Sequence, residues 1–186
     1  SALTSITLPN GLTSIGSSAF ENCSSLNSVI LPNALTSISV SAFSGCSALT
    51  SIALPDSLTS IGAKAFSGCT ALNSITIPLS VTNIDVSVFE GCTMLPTENS
   101  VRYADKWVVG VTDKSLTTYT LRDNTIGIAD QTFSQYPNLT SIILPSGLTS
   151  IGSSAFSGCS GLTSIILSNG LTSIGSSAFS GCSGLT

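Results

Sequence analysis

The chain of 186 residues is weakly charged and acidic, with 8% charged residues, a net charge of −4 and a pI of about 4.3. It therefore lacks the basic surface that binds a phosphate backbone, which argues against nucleic-acid binding. Histidine is absent, so a nucleophilic Ser or Cys would need Lys or a carboxylate as its base. No phosphate-binding glycine motif and no run of eighteen apolar residues occurs. We expect no enzyme activity, no cofactor and no membrane span in this segment.

A 23-residue period organises the sequence. Each Phe in the pattern precedes a Cys, or once Tyr136, by three residues, and these Cys residues recur at intervals of 23 except for one interval of 67. The phenylalanines are Phe20, Phe43, Phe66, Phe89, Phe133, Phe156 and Phe179. The units start at Leu3, Leu26, Leu49, Leu72, Leu95, Leu116, Leu139 and Leu162. A fixed period of this length predicts a repeat architecture, and the fifth unit, 95–115, breaks it.

The first half of each unit predicts a short half-buried strand. Residues 139–144 place Leu, Ile and Leu at offsets 0, 3 and 5 of the unit, so the last two are spaced as on one face of a strand. Pro145 then ends the strand, because proline has no N–H for the ladder. Asn10-Gly11 supplies turn chemistry at the same place in the first unit.

The second half, G-S-S-A-F-S-G-C, predicts a single helical turn. Ser153 or Ser154 would cap it, and Ala155, Phe156 and Cys159 would share one face. An isolated turn is unstable, so it must be held by packing. Stacking coil on coil would bury each Phe against the next, which predicts a solenoid.

The cysteines are predicted to form a column of buried free thiols. Their 23-residue spacing lacks the close pairs of zinc sites, and no histidine is present. Disulfides between neighbouring coils remain an alternative on distance, although the Cβ vectors would run parallel.

The units carry the pattern L-x-x-I-x-L-P…L-x-x-I-G-x-x-A-F-x-x-C, which resembles the BspA-like, or treponemal-type, leucine-rich repeat family. The resemblance implies a right-handed solenoid with a parallel concave sheet, on a surface or secreted protein of a bacterium or a mucosal protozoan. It also implies a role in adhesion or host-protein binding. We predict one solenoid domain over 1–186, with regular repeats at 3–94 and 116–186 and an irregular hairpin unit at 95–115.

The concave sheet would present two columns of small residues to solvent, because alternate strand residues point to opposite faces. The columns are Ser5, Ser28, Ser51, Ser74, Thr118, Ser141, Ser164 and Thr7, Ile30, Ala53, Thr76, Thr120, Ile143, Ile166. Three roles are open for this face: docking a protein, ordering water on a hydroxyl lattice, or keeping a parallel sheet soluble.

The fifth unit predicts a β-hairpin, with strands at 101–104 and 107–111 joined by Asp105-Lys106. As a structural insert it would bury Trp107, with its N–H partnered, and turn Arg102 and Lys106 to water. As a binding element it would expose Trp107 and Tyr103 as an aromatic patch. We favour the buried indole.

The sequence thus predicts a protein-binding or adhesion module of a cell-surface or secreted protein, with host extracellular proteins as candidate ligands. A structural stalk that displays another domain is the alternative. The candidate binding residues are Arg102, Tyr103, Lys106, Trp107, Thr118 and Thr120.

Overall fold

A computed structural model describes residues 3–186, which form fifteen short β-strands and, within that range, no helix. The chain divides into two compact units, one running up to Pro96 and the other from Thr97 to Thr186. Each is described by itself.

In the first unit all four coils contribute a first-half strand to parallel ladders, and three of them also contribute a second-half strand. The first-half strands are β1 (Ser5–Thr7), β3 (Ser28–Ile30), β5 (Ser51–Ala53) and β7 (Ser74–Thr76), paired as β1–β3 and β5–β7. The second-half strands, which the sequence pattern did not predict, are β2 (Ser14–Ile15), β4 (Ser37–Ile38) and β6 (Ser60–Ile61). Every pair joins residues 23 apart, so the sequence period is also the coil period.

The second unit contains the predicted hairpin within a six-stranded sheet. Its strands are β8 (Thr97–Glu98), β9 (Val101–Ala104), β10 (Trp107–Val111), β11 (Thr118–Thr120), β12 (Gly127–Ile128), β13 (Ser141–Ile143), β14 (Ser150–Ile151) and β15 (Ser173–Ile174). The sheet order is β15-β14-β12-β10-β9-β8, and β11 pairs separately with β13. The hairpin bounds are confirmed, and β10 replaces the second-half strand of its coil by pairing in parallel with β12.

A column of stacked phenylalanine rings forms the centre of each unit. Consecutive rings lie 5.2 to 5.7 Å apart and within 7° of parallel. Phe43, Phe66, Phe133 and Phe156 are fully buried. Burial of each such side chain contributes about 1.5–3 kcal/mol of transfer free energy. The predicted stacking of coils is confirmed.

The predicted helical turn in the second half of each coil is wrong, because these residues form turns. Phe43 N–H donates to Ala65 O at 2.8 Å and Gly45 N–H to Ser67 O at 2.7 Å, both in the next coil. A helix would need those N–H groups for carbonyls four residues back in the same segment. Gly45 also has a φ of 73° and Ser154 a φ of 54°, so Ser154 does not have the backbone of a helix cap.

The cysteine column consists of free thiols, as predicted. Cys46 Sγ donates to Phe20 O and Cys69 Sγ to Phe43 O, each at 3.2 Å, and the pattern recurs along the column. Burial, together with the smaller electrostatic effect of Cys23, raises the pKa of the Cys46 thiol to about 11. These thiols are therefore protonated hydrogen-bond donors between coils.

Candidate protein-binding surface

The exposed side of the first-half strands is here called the strand face. In β3, β5, β7 and β11 the middle residue is buried and both flanking residues are exposed. In the second unit the strand face comprises Thr118, Thr120, Ser141, Ile143, Ser164 and Ile166. The predicted outward columns are confirmed, apart from Ser141, which is half-buried.

Large apolar side chains interrupt the small polar residues of the strand face. Ile30 is 59% exposed, Ile143 61% and Ile166 87%. None of the residues that form the two columns is charged. Another protein can cover a surface that has exposed isoleucines and no charge without removing water from an ion. Removing water from an ion costs much free energy, and this surface avoids that cost.

A cleft of about 230 Å³ opens on this face in the second unit, between β13 and residues 164–166. Its lining residues are all Ser, Ile or Leu, and none is charged. Residues 164–166 occupy the place of a first-half strand in the last coil but do not pair with β13.

The hairpin places Trp107 on the column of second-half strand residues that elsewhere carries serine. Trp107 pairs with Gly127, which pairs in turn with Ser150. A Cβ added at Gly127 would come within 2.4 Å of the indole carbons Cε3 and Cζ3, so only glycine leaves room for the ring. Trp107 is 1% exposed, which confirms the predicted burial.

Two details of the hairpin differ from the prediction. The indole Nε1 is buried with no hydrogen-bond partner among the described residues, whereas a partner was expected. Arg102 is half-buried, with its Nε similarly unpartnered, and is therefore not fully turned to water. Lys106 is exposed, as predicted.

Tyr103 anchors the opposite side of the hairpin. It is 1% exposed, and its hydroxyl accepts a hydrogen bond from Arg122 N–H at 3.1 Å. The Arg122 guanidinium lies 4.0 Å from the ring centre and bridges to Glu98, Nε to Oε2, at 2.7 Å. Burial raises the pKa of Tyr103. Cation–π contact and ion pair together hold the hairpin on the coil that follows it.

The sequence profile of the BspA type leucine-rich repeat region matches six copies, over residues 1–102 and 112–186. The chain belongs to this family. No curated protein matches it at a significant level.

Solved structures of bacterial leucine-rich repeat proteins resemble this BspA-type chain. A Eubacterium ventriosum protein is 25% identical with a TM-score of 0.56, over 96% of this chain and 42% of its own length. The T. pallidum leucine-rich repeat protein is 27% identical with a TM-score of 0.53, over 99% and 78%. A leucine-rich cell surface protein of Faecalibacterium prausnitzii is 29% identical with a TM-score of 0.45, over 98% and 52%. The chain thus spans less than half the length of the E. ventriosum protein.

The structure separates the candidate binding residues of this BspA-type chain into two groups. Lys106, Thr118 and Thr120 are exposed, whereas Tyr103 and Trp107 are buried and Arg102 is half-buried. The hairpin therefore offers no exposed aromatic patch. A binding role for the six residues stays a prediction.

Sequence reasoning did not single out Glu98, Arg122 and Gly127, which hold the hairpin, as functional candidates. The available signal was that Arg122 and Gly127 depart from the repeat pattern in the coil after the hairpin. Within residues 3–186, no cluster of three metal-ligating side chains is found, and no helix has the length and hydrophobicity needed to cross a membrane.

Proposed function

We propose that this BspA-type chain is a non-enzymatic protein–protein interaction or adhesion module of a cell-surface or secreted protein, with host extracellular proteins as candidate ligands. The observation that carries the proposal is the uncharged strand face with its exposed isoleucines. In the second unit Ile143 and Ile166 lie together on this face, and adjacent exposed apolar side chains rimmed by polar ones are typical of protein interaction sites.

The geometry of the strand face suits a broad ligand. Its residues recur once per coil, so a flat protein surface can contact several coils at once. Hydroxyls between the isoleucines offer hydrogen bonds to an uncharged partner. Thr118 and Thr120 lie next to the hairpin in sequence and are the candidate residues on this face.

A structural stalk is the second candidate, and hydrogen bonds between coils favour it. Thr36 Oγ1 donates to Thr13 O at 3.0 Å and Thr59 Oγ1 to Thr36 O at 3.1 Å, and threonines of the second unit repeat the arrangement. These bonds tie the exposed side chains to the neighbouring coil, which stiffens a spacer without any ligand.

The test is capture of purified host extracellular proteins on the immobilised chain. We compare the unmodified chain with the variant Thr118→Glu/Thr120→Glu, which adds two charges to the strand face, and with Ser160→Glu/Ser183→Glu, which adds them at exposed turns. Loss of capture in the first variant alone supports the proposal. Equal capture by both variants contradicts a role for these positions, and no capture by the unmodified chain favours the stalk.

A further inference from the structure

The outer edge of β13 has hydrogen-bonding groups that no neighbouring strand uses. Ser141 N–H donates to Thr117 O, and Ile143 O accepts from Leu121 N–H, so these groups point towards β11. Backbone groups alternate in direction along a strand, and those of Ile142 therefore point the other way, towards the cleft. Leu144 N–H, two residues further, makes no hydrogen bond with a described residue.

Residues 164–167 lie across the cleft without closing it. They make no hydrogen bond with any other described residue, although Thr163 N–H reaches Thr140 O at 3.4 Å and Ser168 Oγ contacts Leu148 O on either side. The segments 140–144 and 163–167 have the same sequence, T-S-I-I-L, yet only the first forms a strand. Hydrogen bonds therefore hold this segment only at its ends, and the Ile165 side chain packs against the core between them.

The first unit provides a contrast. There β3 and β5 also lack a shared ladder, but β5 is a strand because its other edge pairs with β7. Ile30 on β3 is exposed to nearly the same degree as Ile143 on β13. The two isoleucines are thus matched positions, of which Ile143 alone lines the 230 Å³ cleft.

We infer that the cleft between β13 and residues 164–167 binds an extended, uncharged segment of a protein ligand, which adds as a strand to the outer edge of β13 and displaces 164–167. The inference rests on the proposed protein-binding function. Unpaired N–H and C=O groups at a sheet edge recognise another strand through main-chain hydrogen bonds.

The residues that line the cleft determine which side chains the bound ligand strand can carry. The cleft contains Ser, Ile and Leu side chains and no charged residue, so a charged segment would lose hydration without gaining an ion pair. Ile143 and Ile166 at the rim favour apolar or β-branched side chains at alternate positions of the ligand.

The probe is a capped peptide that copies residues 162–168. Its core sequence, T-S-I-I-L, also occurs at 140–144, where it contains β13 and pairs with β11. Amide hydrogen exchange by NMR measures the N–H groups of Ile142 and Leu144 with and without the peptide. We expect fast exchange in the free chain and marked slowing when the peptide is bound. Ile143→Arg should weaken peptide binding roughly tenfold or more, because it places a charge at the rim of the cleft. Ile30→Arg, the matched control, should leave binding unchanged.

Protected Ile142 and Leu144 amides in the free chain would show a closed ladder and overturn the proposal. Unchanged exchange at saturating peptide, or equal weakening by both variants, would overturn it as well. Concentration-dependent dimerisation that Ile143→Arg abolishes would assign the edge to a second copy instead. If Ile143→Arg still captures the host proteins captured by the unmodified chain, the cleft fails while the wider protein-binding function stands.

Discussion

Replacing Gly127 by serine restores the residue that the repeat pattern places there, and we expect it to destabilise the protein. Equivalent positions in other coils carry Ser37, Ser60 and Ser150. A Cβ at position 127 would lie 2.4 Å from two indole carbons of Trp107, well inside van der Waals contact. Because the ring is 1% exposed, it cannot move into solvent without losing its packing. Overpacking of this kind costs about 1–3 kcal/mol.

A double-mutant cycle isolates that clash. Urea unfolding is followed by far-ultraviolet circular dichroism for Gly127→Ser, Trp107→Ala and the double variant, since Trp107 is the only tryptophan. Trp107→Ala alone should cost about 3–5 kcal/mol. In its background the serine should be nearly neutral, because coupling between contacting residues disappears with one partner. A Gly127→Ser variant that unfolds within about 0.5 kcal/mol of the unmodified chain would refute the reasoning, as would an equal cost in both backgrounds.

The remaining predictions concern the core. Phe66→Ala should lower the free energy of unfolding in urea by about 3–5 kcal/mol, because the ring is fully buried between two stacked neighbours. Phe20→Ala should lower it clearly less, because that ring is half-buried and stacks on Phe43. Equal losses in the two variants would contradict a continuous column. Thiol titration should label Cys46 and Cys159 only after denaturation, and equal labelling in both states would contradict their burial. The raised pKa of about 11 for both thiols, against an ordinary value of 9.0, means that the folded state holds these protons more tightly. Their contribution to stability is therefore complete below pH 9 and lost as the pH rises through about 11. Unfolding free energies measured at several pH values across this range should fall, and alanine at both cysteines should make the decrease smaller, while Cys69 and Cys182, whose pKa values burial also raises, remain.

The parts of the fold that depend on short-range signals were predictable from sequence. The hairpin at 101–104 and 107–111 is confirmed to the residue, because two β-prone runs flank a polar two-residue turn. The helical turn is wrong because spacing alone does not separate it from a chain of turns. The next coil decides the outcome by offering carbonyls such as Ala65 O, and that competition between coils is invisible in a single unit.

The candidate site was predictable only in part, for a related reason. Alternation correctly placed Thr118 and Thr120 on the exposed face, since one strand is enough to define its two sides. It could not predict that residues 164–166 remain unpaired while the same three letters at 141–143 form a strand. Identical local sequences have identical propensities, so the difference comes from the surroundings of each coil.

The departures from the repeat pattern in the coil after the hairpin are best explained together. Arg122 replaces a proline, Thr125 a leucine and Gly127 a serine. Arg122 gains the backbone N–H that binds the Tyr103 hydroxyl, which proline could not donate, and Gly127 opens the space that the indole fills. Thr125 is fully buried, and its side chain lies next to the Tyr103 hydroxyl, where it offsets part of the rise in pKa that burial causes. Since these changes involve the hairpin and not the strand face, the irregular hairpin is a packed part of the second unit.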